Sequence, residues 1–257
     1  MSVAFAILLY VAAIIFFGGV TLRVIKYWRT PAPLKIPTMP APTTQTGVVM
    51  RMGREVVFFE SLFKANKWIW IFGWLFHASL LLAFFRHLRY IISPDNILWP
   101  LINLQLVQSL GQYAGYTMLI GLLGLLARRI VVERIRYISN ASDYLMLLLI
   151  LGIAATGMWM SFISHADIVS LKIFVMGLVR FDIQPLPDSL ALQLHLVMVA
   201  ALMIVFPVSK LLHAPGVFFS PSRNQVDNSR EKRHLVPWAA KLDATRGMKT
   251  KDQLVKE

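Results

Sequence analysis

Residues 74–89 read Trp-Leu-Phe-His-Ala-Ser-Leu-Leu-Leu-Ala-Phe-Phe-Arg-His-Leu-Arg, which places His77 and His87 ten residues apart in an otherwise apolar run. Imidazole is costly to bury in hydrocarbon, so a histidine in such a run is a functional-site hypothesis by default. A second apolar run, 190–212, carries His195 and ends beside His213. Two helices that each carry two histidines can hold metal cofactors between them.

The composition is that of a membrane protein. The chain has 257 residues, of which 57% are hydrophobic, and it contains no cysteine. The lack of thiols excludes disulfides, iron–sulfur ligation and the covalent attachment of c-type haem by this chain. A redox cofactor held by this chain would therefore need His, Met or oxygen ligands. The net charge of +13 is explained below by membrane orientation, so we predict no binding to nucleic acid.

Five apolar windows are each long enough to cross a hydrocarbon core, which takes about 20 helical residues. They are residues 3–22, 68–92, 106–127, 144–163 and 190–212. The first lacks the basic start and small-residue cleavage site of a signal peptide, so we expect a retained helix. A shorter apolar stretch, 168–181, contains Lys172 and is followed by Pro185 and Pro187. It predicts an interfacial helix that lies in the headgroup region of the bilayer.

Basic residues set the expected orientation. They concentrate in 23–67, in 128–136 and after 212. These segments follow the first, third and fifth spans, so all three lie on the same side of the membrane. By the positive-inside rule that side is the cytoplasm, with the N-terminus outside. Prolines make 31–46 an extended linker, and 47–67 predicts an amphipathic helix that lies on the membrane or docks a soluble partner. The polar tail carries His234, which we expect to face water.

Helix geometry predicts how the four histidines pair. His77 and His87 are separated by about 15 Å along a helix axis, and His195 and His213 by about 27 Å on one face. Because the second and fifth spans run antiparallel, His77 faces His213 towards the cytoplasm, and His87 faces His195 towards the outside. Opposed imidazole pairs favour six-coordinate haem b over zinc, which needs further converging ligands.

Three more polar side chains lie near the predicted outer surface. Arg86 and Arg89 flank His87, where a guanidinium can pair with a haem propionate or with a phosphate headgroup. His165, at the outer end of the fourth span, faces water or meets a quinone headgroup.

The chain resembles the gamma-subunit family of respiratory nitrate reductases, which are five-span di-haem cytochromes b. The resemblance covers about 55–213 and rests on Ser61-Leu62-Phe63, on Lys67-Trp68, and on the spacings His77–x9–His87 and His195–x17–His213. It implies the same pairing, with His77 and His213 on the cytoplasm-proximal haem and His87 and His195 on the distal one. Within the family, Phe76-His77-Ala-Ser-Leu and Arg86-His87-Leu-Arg-Tyr90 look most like the DsrM-type cytochromes of sulfur metabolism.

The resemblance implies an all-α membrane protein with four parts. They are a first transmembrane helix (1–22), a cytoplasmic linker and amphipathic segment (23–67), a four-helix di-haem core (68–213) and a basic cytoplasmic tail (214–257). Such a protein is a subunit of a quinol:acceptor oxidoreductase in a bacterial or archaeal cytoplasmic membrane. Its expected substrate is (mena)quinol, and its expected partner is a cytoplasmic iron–sulfur subunit related to heterodisulfide reductase, joined by further membrane or periplasmic redox subunits.

Several alternatives stay open at this stage. The same cofactors can carry electrons in the opposite direction and reduce quinone. The chain could also be the gamma subunit of a nitrate reductase. From other classes, the chain could be a cofactor-free membrane anchor or a transporter with a histidine relay. The relay requires acidic partners within the membrane, and none of the five windows contains Asp or Glu.

Overall fold

In a computed structural model, which describes residues 1–30, 37–227 and 241–242, the chain is helical. Five helical segments are long and apolar enough to cross a membrane: Ser2–Arg29, Lys67–Tyr90, Gln105–Val131, Ala141–Ser164 and Leu190–Val208. Within residues 1–30 and 37–227 the α-helices are α1 Ser2–Arg29, α2 Gln45–Phe58, α3 Glu60–Ala65, α4 Lys67–His87, α5 Trp99–Ile102, α6 Gln105–Val131, α7 Glu133–Ile138, α8 Ala141–Trp159, α9 Ile168–Val179, α10 Leu190–Val205 and α11 His213–Gly216. The prediction of five spans is confirmed.

The described chain divides into two compact units. The first comprises Met1–Gly19 and Leu62–Val208, and the second comprises Val20–Ser61 and Ser209–Glu257. These units do not coincide with the four parts expected from the sequence, whose boundaries stay predictions. Residues 31–36 of the expected linker and most of the expected tail, with His234, lie outside the described residues.

In the first unit, α4 packs on α6, α6 on α8, and α8 on α10. The core between α4, α6 and α8 is a cluster of apolar side chains that includes Phe76, Met118, Leu122 and Ala154. Many large apolar side chains point outward instead; Ile14 of α1, for example, is 73% exposed. Water would make such a surface unfavourable, whereas lipid tails cover it at no cost.

Glycines allow α4 and α6 to approach closely. A Cβ added at Gly121 would lie 2.9 Å from the carbonyl oxygen of Phe72 and 3.0 Å from the amide nitrogen of Phe76. At Gly124 it would lie 2.4 Å from the ring of Phe72. Small residues at such crossings let two membrane helices pack backbone to backbone.

The start of α8 differs from the sequence expectation that no acid lies within a span. This helix begins at Ala141 and so takes Asp143 into its first turn, where Asn140 and Asp143 form a capping box. The Asp143 carboxylate also lies 3.4 Å from a guanidinium nitrogen of Arg129. An acid at a helix N-terminus satisfies exposed amides and complements the helix dipole, so this carboxylate caps the helix.

The fifth span ends earlier than expected. Helix α10 stops at Val205, the short 3-10 helices Phe206–Val208 and Lys210–Leu212 follow, and α11 starts at His213. Pro207 has no N–H to continue the helical ladder, which explains the break. The expectation that His195 and His213 share one face of a continuous helix, five turns apart, is therefore wrong.

The short apolar stretch forms α9, as predicted from its length. Asp167 caps it by accepting hydrogen bonds from the amides of Val169 and Ser170. The Ser170 hydroxyl also donates to this carboxylate, and these hydrogen bonds lower the pKa of Asp167. Nearby, the Tyr10 hydroxyl donates to the carbonyl oxygen of Leu178 at 2.8 Å, which joins α1 to α9.

The predicted amphipathic helix 47–67 is wrong in one respect. Two shorter helices, α2 and α3, replace it, because Phe59 between them adopts a left-handed backbone with φ of 52°. Glu55 is buried, and its carboxylate accepts hydrogen bonds from the backbone amide and hydroxyl of Ser61. A guanidinium nitrogen of Arg223 lies 2.8 Å from the same carboxylate.

Candidate haem site

His87 and His195 lie side by side in the first unit. Their ring centroids are 6.4 Å apart, and the two ring planes are within 9° of parallel. His87 is the last residue of α4 and His195 lies in the second turn of α10. The pair therefore brings together the end of α4 and the start of α10.

The two imidazoles, with centroids 6.4 Å apart, are close enough to serve together as ligands of one metal ion. No group of three or more His, Asp or Glu side chains converges within the described ranges. A pair of imidazoles is a donor set that a haem iron can use, whereas a structural zinc site takes four protein ligands and a catalytic one takes three.

Hydrogen bonds fix the orientation of both rings. Nδ1 of His87 lies 2.6 Å from the carbonyl oxygen of Ala83, one turn earlier in α4. Nδ1 of His195 lies 3.0 Å from the hydroxyl oxygen of Thr156 on α8. When Nδ1–H is donated in this way, the lone pair lies on Nε2, and that is the usual arrangement of metal-binding histidines.

The other two histidines lie in different units. His77 belongs to the first unit, where its Nδ1 is 2.7 Å from the carbonyl oxygen of Gly73. His213 belongs to the second unit, where its Nδ1 is 3.1 Å from the carbonyl oxygen of Lys210. Both rings therefore have the same kind of Nδ1 contact as His87, and their pairing with each other stays a prediction.

The two arginines beside His87 have different surroundings. The guanidinium of Arg89 donates to the Tyr90 hydroxyl at 3.0 Å and to the Gln108 side-chain oxygen at 3.4 Å. Its Nε is buried and has no hydrogen-bond partner among the described residues. The stem of Arg86 passes over Gly111, where an added Cβ would lie 3.3 Å from its Cδ. Within the described part of the chain, no ion pair or hydrogen bond engages the Arg86 guanidinium.

His165 does not join this cluster. It follows a π-helical turn, Met160–Ser164, at the end of α8, and its backbone is left-handed with φ of 44°. Sequence reasoning missed Thr156 and Gly157, which contact the ring of His195. Thr and Gly are common where membrane helices pack together, so nothing in the sequence distinguishes this pair from residues that only pack.

A transmembrane helical bundle with facing histidines defines a class of membrane electron carriers, and comparison with known proteins assigns the family. The chain belongs to the nitrate reductase gamma subunit family, whose model matches residues 46–227. Together with the five apolar helices, this makes it a multi-pass membrane protein. The resemblance noted in the sequence is confirmed.

Individual relatives agree with this assignment. The chain is 32% identical to the "Hdr-like menaquinol oxidoreductase cytochrome b-like subunit" of Archaeoglobus fulgidus, over 89% of this chain and 81% of the relative. The protein of the same name from Archaeoglobus profundus is 31% identical, over 89% of this chain and 80% of the relative. The "Respiratory nitrate reductase 2 gamma chain" of Escherichia coli is 28% identical, over 66% of this chain and 81% of its own length.

Proposed function

We propose that this protein is the membrane di-haem cytochrome b subunit of a menaquinol oxidoreductase. The observation that carries the proposal is the pair of parallel imidazoles of His87 and His195, whose ring centroids are 6.4 Å apart. We assign these two residues to the distal haem, and His77 and His213 to a cytoplasm-proximal one. The names of the archaeal relatives support menaquinol as the electron donor.

Bound haem supplies a one-electron carrier, and the protein tunes and positions it. His87 and His195 would hold it, and the contacts of their Nδ1 atoms keep each ring in place. We assign Arg86 to a haem propionate, because a cation at membrane depth needs a counter-ion or polar partner and the described protein gives its guanidinium none. Arg89, which is already bonded to Tyr90 and Gln108, is the second candidate for this contact.

Electrons from quinol oxidised near the outer surface would pass through the distal haem to the proximal one. The chain has no cysteine, so the next acceptor lies on another subunit. We propose a cytoplasmic iron–sulfur partner related to heterodisulfide reductase, docked on the basic segments of the predicted cytoplasmic side. A role in sulfur metabolism and a location in the cytoplasmic membrane, with the N-terminus outside, complete the proposal.

Reduction by menaquinol tests this function. The purified protein in detergent is mixed with a reduced menaquinone analogue, and the α-band absorbance of haem b is followed by stopped flow. We expect the α-band absorbance to rise after mixing and to reach a large part of the absorbance that dithionite gives. Absorbance that responds to dithionite but not to the menaquinol analogue would contradict the assignment of the electron donor.

A further inference from the structure

The two imidazoles of the distal pair are held by different kinds of group. His87 uses a carbonyl oxygen of its own helix, that of Ala83. His195 uses the hydroxyl oxygen of Thr156, which belongs to the neighbouring helix α8. That hydroxyl is in turn 2.8 Å from the carbonyl oxygen of Gly152 and 3.1 Å from that of Ile153. The orientation of His195 therefore depends on a side chain of another helix.

The direction of each hydrogen bond follows from the chemistry of the groups. A hydroxyl carries one hydrogen and two acceptor lone pairs, whereas a carbonyl only accepts. The Thr156 hydroxyl donates to the carbonyl of Gly152 or Ile153. Its oxygen can then accept from Nδ1–H of His195, and in that tautomer the lone pair of the imidazole lies on Nε2.

Gly157 completes the contact between α8 and the ring. A Cβ added at this position would lie 3.5 Å from Cε1 of His195, so the imidazole lies against the backbone of α8. Thr156 itself is buried, and water cannot readily replace it as the acceptor. One residue thus supplies the hydrogen bond and the next gives the ring its space.

We propose that Thr156 is a positioning residue for the distal haem, acting through the tautomer and orientation of His195. This inference rests on the proposed function. A hydrogen bond accepted from Nδ1–H makes the imidazole a stronger donor to the metal, which favours ferric iron. Loss of the bond is therefore expected to raise the midpoint potential of the distal haem.

The test compares two Thr→Val substitutions by potentiometric titration of the haem absorbance. Thr156→Val removes the acceptor without changing the side-chain size. Thr117→Val is the matched control, because the Thr117 hydroxyl is also bonded to its own helix, at 3.0 Å from the Ala114 carbonyl, and crosses to another helix, at 2.6 Å from the Ser79 hydroxyl. Thr156→Ser restores the hydroxyl and is the rescue variant.

We expect Thr156→Val to keep two haems and to shift the ferric/ferrous equilibrium of the distal haem towards ferrous by up to about tenfold, which is 59 mV for a one-electron couple. Thr156→Ser and Thr117→Val should titrate like the wild type. The distal component is identified as the one missing from His87→Ala. Selective loss of the distal haem in Thr156→Val, with rescue in Thr156→Ser, would also support the proposal.

An unchanged potential and haem content in Thr156→Val would overturn the inference, and so would an equal shift in Thr117→Val. These results would leave the proposed function intact, because the wild type would still contain its haems. A wild-type protein that binds no haem would overturn the proposed function and this inference with it.

Discussion

Alanine at His87 is expected to remove one haem b, and alanine at His195 is expected to remove the same one. The two rings lie side by side, with centroids 6.4 Å apart, so we propose that they hold the same haem and that either substitution would remove one of its two protein ligands. Six-coordinate iron depends on both ligands, and even the loss of a group that only supports a ligand lowers metal affinity by roughly 10–100-fold. Haem per chain, measured from the pyridine complex of the extracted haem, should fall by about half of its wild-type value in each variant.

His165→Ala is the control for these substitutions. His165 also lies at the end of a membrane helix, but it takes no part in the pair formed by His87 and His195. We expect this variant to keep its full haem content. The double variant of His87 and His195 should lose no more haem than either single variant. The pairing is contradicted if one of the single variants retains all of its haem, or if their losses add.

Alanine at Gly121 is expected to have the second largest effect, because it forces α4 away from α6. The added Cβ would meet two backbone atoms of α4, those of Phe72 and Phe76, at 2.9 and 3.0 Å. Backbone cannot turn aside as a flexible side chain can, so the helices must separate. We expect a loss of about 1–3 kcal/mol in the free energy of unfolding, as is usual for overpacking. The measurement is the midpoint of denaturation in detergent.

Gly18→Ala in α1 provides the matched control, since an added Cβ there would have no heavy atom within 4 Å. Alanine is favoured over glycine in a helix by about 1 kcal/mol, so this variant should be as stable as the wild type or slightly more stable. The reason given for Gly121 is wrong if both variants denature at the same midpoint. Haem release should accompany the loss of stability in Gly121→Ala, because α4 carries His77 and His87.

Hydropathy was sufficient to predict the spans, since about 20 apolar residues in a row have few other uses. It could not predict their exact ends. Helix α1 continues to Arg29, beyond the expected limit at residue 22, because long basic side chains at a helix end can reach the interface. The capping box of Asp143 makes α8 begin before the predicted span, and a cap of so few residues has little effect on the mean hydropathy of a window.

Local backbone conformation was the main source of error. The left-handed Phe59 divides the predicted amphipathic helix into two, and a phenylalanine gives no warning of that conformation, which it rarely adopts. Pro207, by contrast, is visible in the sequence, and the helix ends at Val205 with two 3-10 helices after it. The axial spacing predicted for His195 and His213 assumed a continuous helix and no longer follows from helix geometry.

The candidate site was predictable from its histidines and not from their surroundings. Period and span order indicated that His87 and His195 belong together, and the structure places their rings side by side, although their role as haem ligands stays a prediction. The contribution of Thr156 depends on how α8 and α10 pack. That contact joins residues 39 apart in the chain, and it leaves no periodic trace in the sequence.

We propose that this chain binds two haems b through two pairs of histidines. The most direct test is to quantify haem and protein in the same purified sample and to record the reduced-minus-oxidised spectrum. We expect two haems b per chain, with a spectrum typical of low-spin iron bound by two imidazoles. A fully folded protein that contains no haem, even when it is produced with haem in excess, would contradict it.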